Sequence, residues 1–225
     1  MSRPLYIGTK IWYNCRCDDH HGIVVAVHIN HRIGGISKMA MTKKILLVID
    51  VQNDFITGAL KNEAAIAQLP NLTKFVTENK FDETFVTMDT HGADYDKTLE
   101  GKNLPVPHCI KGTPGWQMPV DFKKALYGNQ KDIEVFEKPT FGSTWLASYL
   151  GATHKWNGIT TFPEDYEFTI IGFCTDICVV SNALLLRAYF PNSKITVRRD
   201  CVAGVTPESN EAALLTMQMC QITVI

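Results

Sequence analysis

Residues 168–188 read FTIIGFCTDICVVSNALLLRA. Phe168–Ile171 is a short β-branched and aromatic run, Gly172 breaks it, and Val179, Ala183 and Leu186 then fall at helical spacing. The stretch predicts a strand, a tight turn and a helix over Ile177–Tyr189. The same order recurs on both sides of it from Lys43 onward. Strands are expected at Ile45–Ile49, Thr84–Met88, Ile133–Phe136, Phe168–Ile171, Ile195–Val197 and Ile222–Ile225. Helices are expected at Glu63–Asn79, Ser143–Leu150 and Glu208–Met219 as well. Apolar strands alternating with helices predict an α/β fold, its mostly parallel sheet covered on both faces.

The bulk composition agrees. The chain has 225 residues, 45% hydrophobic and 20% charged, and one this long buries roughly 70% of its unfolded surface without disulfide staples. Lys and Arg total 22 against 23 Asp and Glu. So even a balance offers no field for nucleic acid or an anionic membrane. No stretch of 18 uninterrupted apolar residues is present to span a bilayer. Seven scattered cysteines suit reduced thiols in the cytoplasm better than a disulfide framework.

Residues 1–42 lack both periods and hold four of the seven histidines. The short run Gly22–Val27 comes after Asp18-Asp19-His20-His21, the wrong flank for a signal peptide. Cys15, Cys17, His20 and His21 are too crowded to wrap a zinc ion in the usual finger spacing. This extension is expected to be an upstream translated segment or a dispensable appendage to a domain over 43–225.

In an open parallel sheet, ligands sit outside the carboxyl ends of the strands. Just past the expected strands stand Asp50, Asp89-Thr90-His91, Lys138 and the turn from Gly172 to Cys178. A thiol at a helix start meets unpaired N–H groups and a positive dipole end, which favour thiolate. The plain alternative for Cys178 is a small buried hydrophobe, and position alone leaves both open. Cys174 is four residues earlier, not the C-x-x-C spacing of a redox pair. Asp50 as proton acceptor and Lys138 as thiolate partner gain meaning only beside Cys178; singly, each reads as an ordinary turn or loop residue. Asp89, His91, Glu100 and His108 together suit a borderline divalent ion such as zinc, iron or manganese. The segment between them, Gly92–Pro107, reads as a long loop with little secondary structure of its own.

These residues, in this order, resemble the cysteine hydrolases of the isochorismatase-like superfamily, and among them the nicotinamidases. Three segments carry the resemblance: ILLVIDVQNDF at 45–55, LPVPHCIKGTPGW at 104–116 and GFCTDICVVSNALLLRA at 172–188. It implies a three-layer α/β/α sandwich with a six-stranded, mostly parallel sheet, and hydrolysis of an amide C–N bond through a thioester. It makes Asp50 the proton acceptor, Lys138 its partner and Cys178 the nucleophile. It also implies backbone N–H groups of Cys174 and Cys178 as the oxyanion hole, and a cis peptide before Cys174. Asp89, His91, Glu100 and His108 become ligands of one divalent ion. Phe55, Leu104, Phe141 and Trp145 become pocket residues. Superfamily members are commonly homo-oligomers, although no interface is legible here. The substrate is expected to be a small amide, nicotinamide first. No nucleotide cofactor is implied, since no G-x-G-x-x-G comes after the first strand.

The sequence departs from the nicotinamidase pattern at one pocket position. Pro105, with Leu104 beside it, stands where an aromatic usually flanks the pyridine ring, a loss of ~0.5–1.5 kcal/mol of stacking. Three rival readings remain: an amidase for another small amide or ureido compound, a non-catalytic thiol or metal sensor on the same fold, and an oligomeric scaffold indifferent to loss of Cys178.

Overall fold

The computed structural model describes residues 42–153 and 166–225. The extension, with Cys15, Cys17, His20 and His21, lies outside the described residues. Six strands, β1 (Lys43–Ile49), β2 (Glu83–Asp89), β3 (Ile133–Lys138), β4 (Tyr166–Phe173), β5 (Lys194–Ala203) and β6 (Thr223–Val224), form one sheet in the order β3-β2-β1-β4-β5-β6. Every neighbouring pair is parallel.

β1 is central because Ile45–Ile49 is buried without interruption, as a strand covered on both faces must be. Its residues alternate between two cores. Ile45, Leu47 and Ile49 pack with helices α4 (Thr144–Thr153), α5 (Val180–Tyr189) and α6 (Pro207–Met219) through Leu146, Leu186 and Leu214. Leu46 and Val48 pack with α1 (Glu63–Glu78) and α3 (Val120–Asn129) through Leu72, Val76, Phe122 and Leu126. The result is the three-layer α/β/α sandwich that the sequence implies. No helix among the described residues is long and apolar enough to cross a membrane.

Helix starts obey their capping chemistry. Asn62 accepts the N–H groups of Ala64 and Ala65 at 2.9 and 3.1 Å to open α1. Thr206 and Ser209 form a reciprocal capping box before α6, with Pro207 in its first turn.

Three elements differ from the sequence expectation. β5 continues past Val197 through Arg198, Arg199 and Asp200 to Ala203, after a register shift against β4 between Ile170 and Gly172. Its charged middle hides it from an apolar-run reading. α3 goes unannounced because its buried residues are few, chiefly Phe122 and Leu126 at i,i+4. The segment 92–107 is more ordered than a bare loop, with a 3₁₀ turn at Tyr95–Lys97 and the short helix α2 (Leu99–Asn103).

The chain runs outward from β1 through β2 to β3, then returns to the other side of β1 with β4. The switch point of the sheet therefore lies between the carboxyl ends of β1 and β4, where such folds bind ligands. Gly172 permits the close approach there: its φ is +125°, and a Cβ would stand 2.0 Å from the Ile49 carbonyl oxygen.

Candidate active site

Asp50 is the first residue past β1, with a left-handed φ of 48° that non-glycine residues rarely adopt. It is fully buried. One carboxylate oxygen accepts from the Thr87 hydroxyl at 2.6 Å, and the other pairs with Lys138 Nζ at 2.6 Å. Lys138 ends β3 and is also buried. Its ammonium lies 3.6 Å from Cys178 Sγ and 3.6 Å from Asp89 Oδ1. One cation therefore touches the thiol, its acid partner and a carboxylate of the neighbouring cluster. Sequence spacing pairs Lys138 with Asp50 and Cys178, but the contact with Asp89 is visible only in three dimensions.

Cys178 belongs to a π-type turn, Thr175–Val179, that leads into α5. Such turns are rare and recur at functional sites. The peptide between Phe173 and Cys174 is cis. The Cys174 carbonyl accepts the N–H groups of Ile177 and Val179 at 3.2 and 3.0 Å. Asn182 fastens the nucleophile's backbone to the β3–α4 loop: Nδ2 donates to the Cys178 carbonyl at 2.8 Å, and Oδ1 accepts the Ser143 N–H at 2.9 Å.

The electrostatics differ from a simple helix-start thiolate. Burial, aided by Asp50, pushes the Cys178 thiol well above its ordinary value, and only Lys138 acts strongly the other way. Burial also raises Asp50, against the opposing pull of Lys138. Lys138 itself is raised: burial disfavours its charge, but Asp50, Cys178 and Asp89 outweigh that. The arrangement disfavours the thiolate at rest, and burial makes Asp50, beside the Lys138 ammonium, a readier proton acceptor than an exposed carboxylate.

The second group is contiguous with the first. Asp89 Oδ2 lies 3.0 Å from His91 Nε2 and 3.5 Å from His108 Nε2, while Glu100 Oε1 lies 3.8 and 3.5 Å from the same two nitrogens. Donors about 2.1 Å from one ion stand ~3.0–3.4 Å apart, so the spacing and the mixed nitrogen and oxygen donors fit a borderline divalent cation. Among the described residues, Asp89, His91 and His108 form the group whose donor atoms all lie within 4.8 Å of one another. Burial pushes Asp89 up, but the His108 and His91 hydrogen bonds and Lys138 hold it well below the usual carboxylate range. Burial raises Glu100, with Asp89 adding to the effect.

Residues that spacing did not single out hold these donors. Gln52 brackets Asp89 by its backbone, donating to the carbonyl at 2.8 Å and accepting the N–H at 2.7 Å. Among Asp50, Asn53 and Asp54 nothing in the sequence marks Gln52 as buried, and it is its full burial in the structure that calls for these partners. His108 Nδ1 meets the Val106 carbonyl at 2.9 Å, which turns Nε2 toward the cluster. Tyr95 sets its ring edge-on to both imidazoles, with centroids 4.8 Å from His91 and 5.1 Å from His108. Its hydroxyl donates to the Leu104 carbonyl at 2.9 Å.

Of the expected pocket residues, Phe55 is buried with its ring 5.7 Å from that of His108. Leu104 and Phe141 are exposed, and Trp145 is 65% exposed with its ring against Phe136. His91, Tyr95, Glu100 and Pro139 help line a cleft of about 350 Å³ beside the donor cluster.

Comparison with known proteins fits this geometry. The chain is 27% identical to the nicotinamidase/pyrazinamidase of Mycobacterium tuberculosis over 203 residues, 81% of this chain and 98% of that one. The crystal structure of a Bacillus subtilis nicotinamidase/pyrazinamidase superposes with a TM-score of 0.65 at 27% identity, over 81% of this chain and 98% of that one. The Pyrococcus horikoshii pyrazinamidase, solved in complex with zinc, shares the fold at a TM-score of 0.59 and 23% identity, over 81% and 98% of the two chains. The isochorismatase domain matches residues 44–225, and the chain belongs to that family.

Proposed function

We propose that this hydrolase of amide C–N bonds converts nicotinamide and water to nicotinate and ammonia in the cytoplasm. The observation that carries the reading is the ammonium of Lys138, within 3.6 Å of Cys178 and of Asp89 while paired with Asp50. It joins a thiol and proton acceptor to a cation-binding cluster. The relatives named nicotinamidase/pyrazinamidase support the choice of substrate.

In this reaction the Cys178 proton passes to Asp50 as sulfur attacks the carboxamide carbon. Lys138 offsets the negative charge that then sits on the Asp50–Cys178 pair. The resemblance assigns the oxyanion to the N–H groups of Cys174 and Cys178, and the N–H groups of Ile177 and Val179 do not compete because both donate to the Cys174 carbonyl. Collapse breaks the C–N bond, and ammonia leaves with the proton that Asp50 holds. Water then cleaves the thioester, giving Asp50 a proton that returns to the sulfur. A zinc, iron or manganese ion on Asp89, His91, Glu100 and His108 would supply a Lewis acid for the pyridine nitrogen.

One observation favours a second reading. Pro105 supplies no ring where an aromatic is expected, and Leu104 is exposed with its carbonyl taken by Tyr95. A different small amide or ureido compound would suit that gap. Ammonia release from nicotinamide by reduced, metal-loaded protein, beside a panel of small amides, separates the two. Turnover of nicotinamide well above the panel is the expected result. Turnover of other amides alone would transfer the reading to the second substrate class, and no release from any would leave the sensor. Dialysis against a strong chelator is expected to lower turnover at least tenfold, with recovery on adding zinc or manganese. Full activity in protein shown by elemental analysis to be metal-free would remove the metal from the reading.

A further inference from the structure

Asp54 is the second aspartate of DVQNDF and is not part of the acid–thiol–cation group. It is buried in the 3₁₀ turn Asn53–Phe55. Its carboxylate makes two bonds to backbone. Oδ1 accepts the Ala59 N–H at 2.9 Å, and Oδ2 accepts the Cys109 N–H at 2.7 Å, across 55 residues of sequence. Its own N–H donates to the Gly115 carbonyl at 2.9 Å, and its carbonyl accepts from Leu60 at 2.8 Å. Two glycines make room for the carboxylate. A Cβ on Gly58 would stand 2.3 Å from Oδ1, and one on Gly115 would stand 2.2 Å from both oxygens.

Through these bonds Asp54 holds the backbone of the donor cluster. Cys109 comes directly after His108 and takes the left-handed conformation, with a φ of 46°. Its carbonyl accepts the His91 N–H at 3.0 Å, and the His91 carbonyl accepts the Lys111 N–H at 3.0 Å. The residue next to Asp54, Phe55, puts its ring edge against the His108 imidazole. One turn therefore grips the 108–111 segment by a charged hydrogen bond and a ring contact, and that segment grips His91.

We propose that Asp54 is a positioning residue for the metal centre. It fixes Cys109, and through that one residue it sets the placement of both imidazoles. The inference rests on reading the cluster as a cation site. Asp54 should therefore control metal affinity while leaving the thiol side of the site alone. Outer residues that orient metal ligands typically change affinity 10–100-fold when replaced.

Asp54→Asn is the first test. A carboxamide has one acceptor oxygen where Ala59 and Cys109 each present a donor, so one N–H must face an NH₂ group. Gly115→Ala is the second, since its new methyl group crowds the carboxylate off Cys109. On the metal-stripped full chain, zinc affinity measured by competition with a chromogenic chelator should fall 10–100-fold in both. Alkylation of Cys178 by iodoacetamide should stay within twofold of the parent. Unchanged zinc affinity in a folded variant overturns the proposal, as does a change in Cys178 alkylation beyond twofold in either direction, which would mark a general disturbance of the site rather than a local effect on the donor cluster. If Asp54→Asn does not fold, Gly115→Ala decides alone by the same two readouts. A parent chain that binds no zinc overturns the metal reading itself, whereas tight binding that ignores both substitutions overturns only the role of Asp54.

Discussion

Replacing Cys178 by alanine is expected to lower ammonia release by ~10⁴-fold or more, a loss of about 5.5 kcal/mol of transition-state stabilisation. No nearby group can take over. Cys174 is the adjacent thiol, but burial, with Asp176 adding to it, raises it to about 12, and its N–H is assigned to the oxyanion. Lys138 is held protonated by its three partners. The variant should still fold, because Asp50 and Lys138 keep their 2.6 Å pair and only one sulfur atom leaves the core. Zinc affinity should also persist, since Asp89, His91 and His108 draw no support from Cys178. A discontinuous ammonia assay at high enzyme concentration, with a parallel zinc titration, checks both halves. Activity above about 1% of the parent would mean that another group attacks the amide.

Position alone does not give that nucleophile, and the reason bears on how far such a site is legible in sequence. The sheet is readable because Ile45–Ile49 is apolar without interruption and Phe168–Ile171 is broken only by the β-branched Thr169, a pattern that belongs to strands covered on both faces. Each strand then delivers its last residue or the ones after it to the carboxyl edge, so Asp50, Asp89, Lys138 and the Cys178 turn are brought together by topology. Charge state is a different matter. A helix-start thiol predicts thiolate, yet the π-type turn buries Cys178 beside Asp50, and burial together with that carboxylate raises the thiol against the pull of Lys138. Supporting residues are hidden for a related reason. Gln52 and Asp54 act on backbone atoms 37 and 55 residues away, and pairings of that range leave no periodicity. α3 escapes because Phe122 and Leu126 are its buried anchors on an otherwise polar face.

Lys138→Met should be the most damaging substitution to the fold at the site, and its partner identifies the cause. Lys138 and Asp50 are 2% and 0% exposed, so methionine leaves a buried carboxylate without its cation. Breaking such a pair from one side costs about 3–5 kcal/mol, much more than an exposed ion pair is worth. Removing the second charge as well should recover much of that loss. The double variant Asp50→Asn/Lys138→Met is therefore expected to be more stable than Lys138→Met alone by at least ~2 kcal/mol. Urea unfolding of the four proteins of the cycle, all metal-saturated so that Asp89 stays compensated, measures it. Additive losses would mean that the pair is not coupled and that Lys138 stabilises by packing alone. Turnover should separate from stability, because all three variants lose the means to hold the proton and its counter-charge. Lys138→Arg makes the same point from the other side. It keeps the charge and should retain more stability than methionine, yet a planar fork cannot meet Asp50, Cys178 and Asp89 in three directions as an ammonium does. Its turnover should fall at least a hundredfold, ~2.7 kcal/mol, so that charge alone, without the tetrahedral donor geometry, does not sustain the reaction.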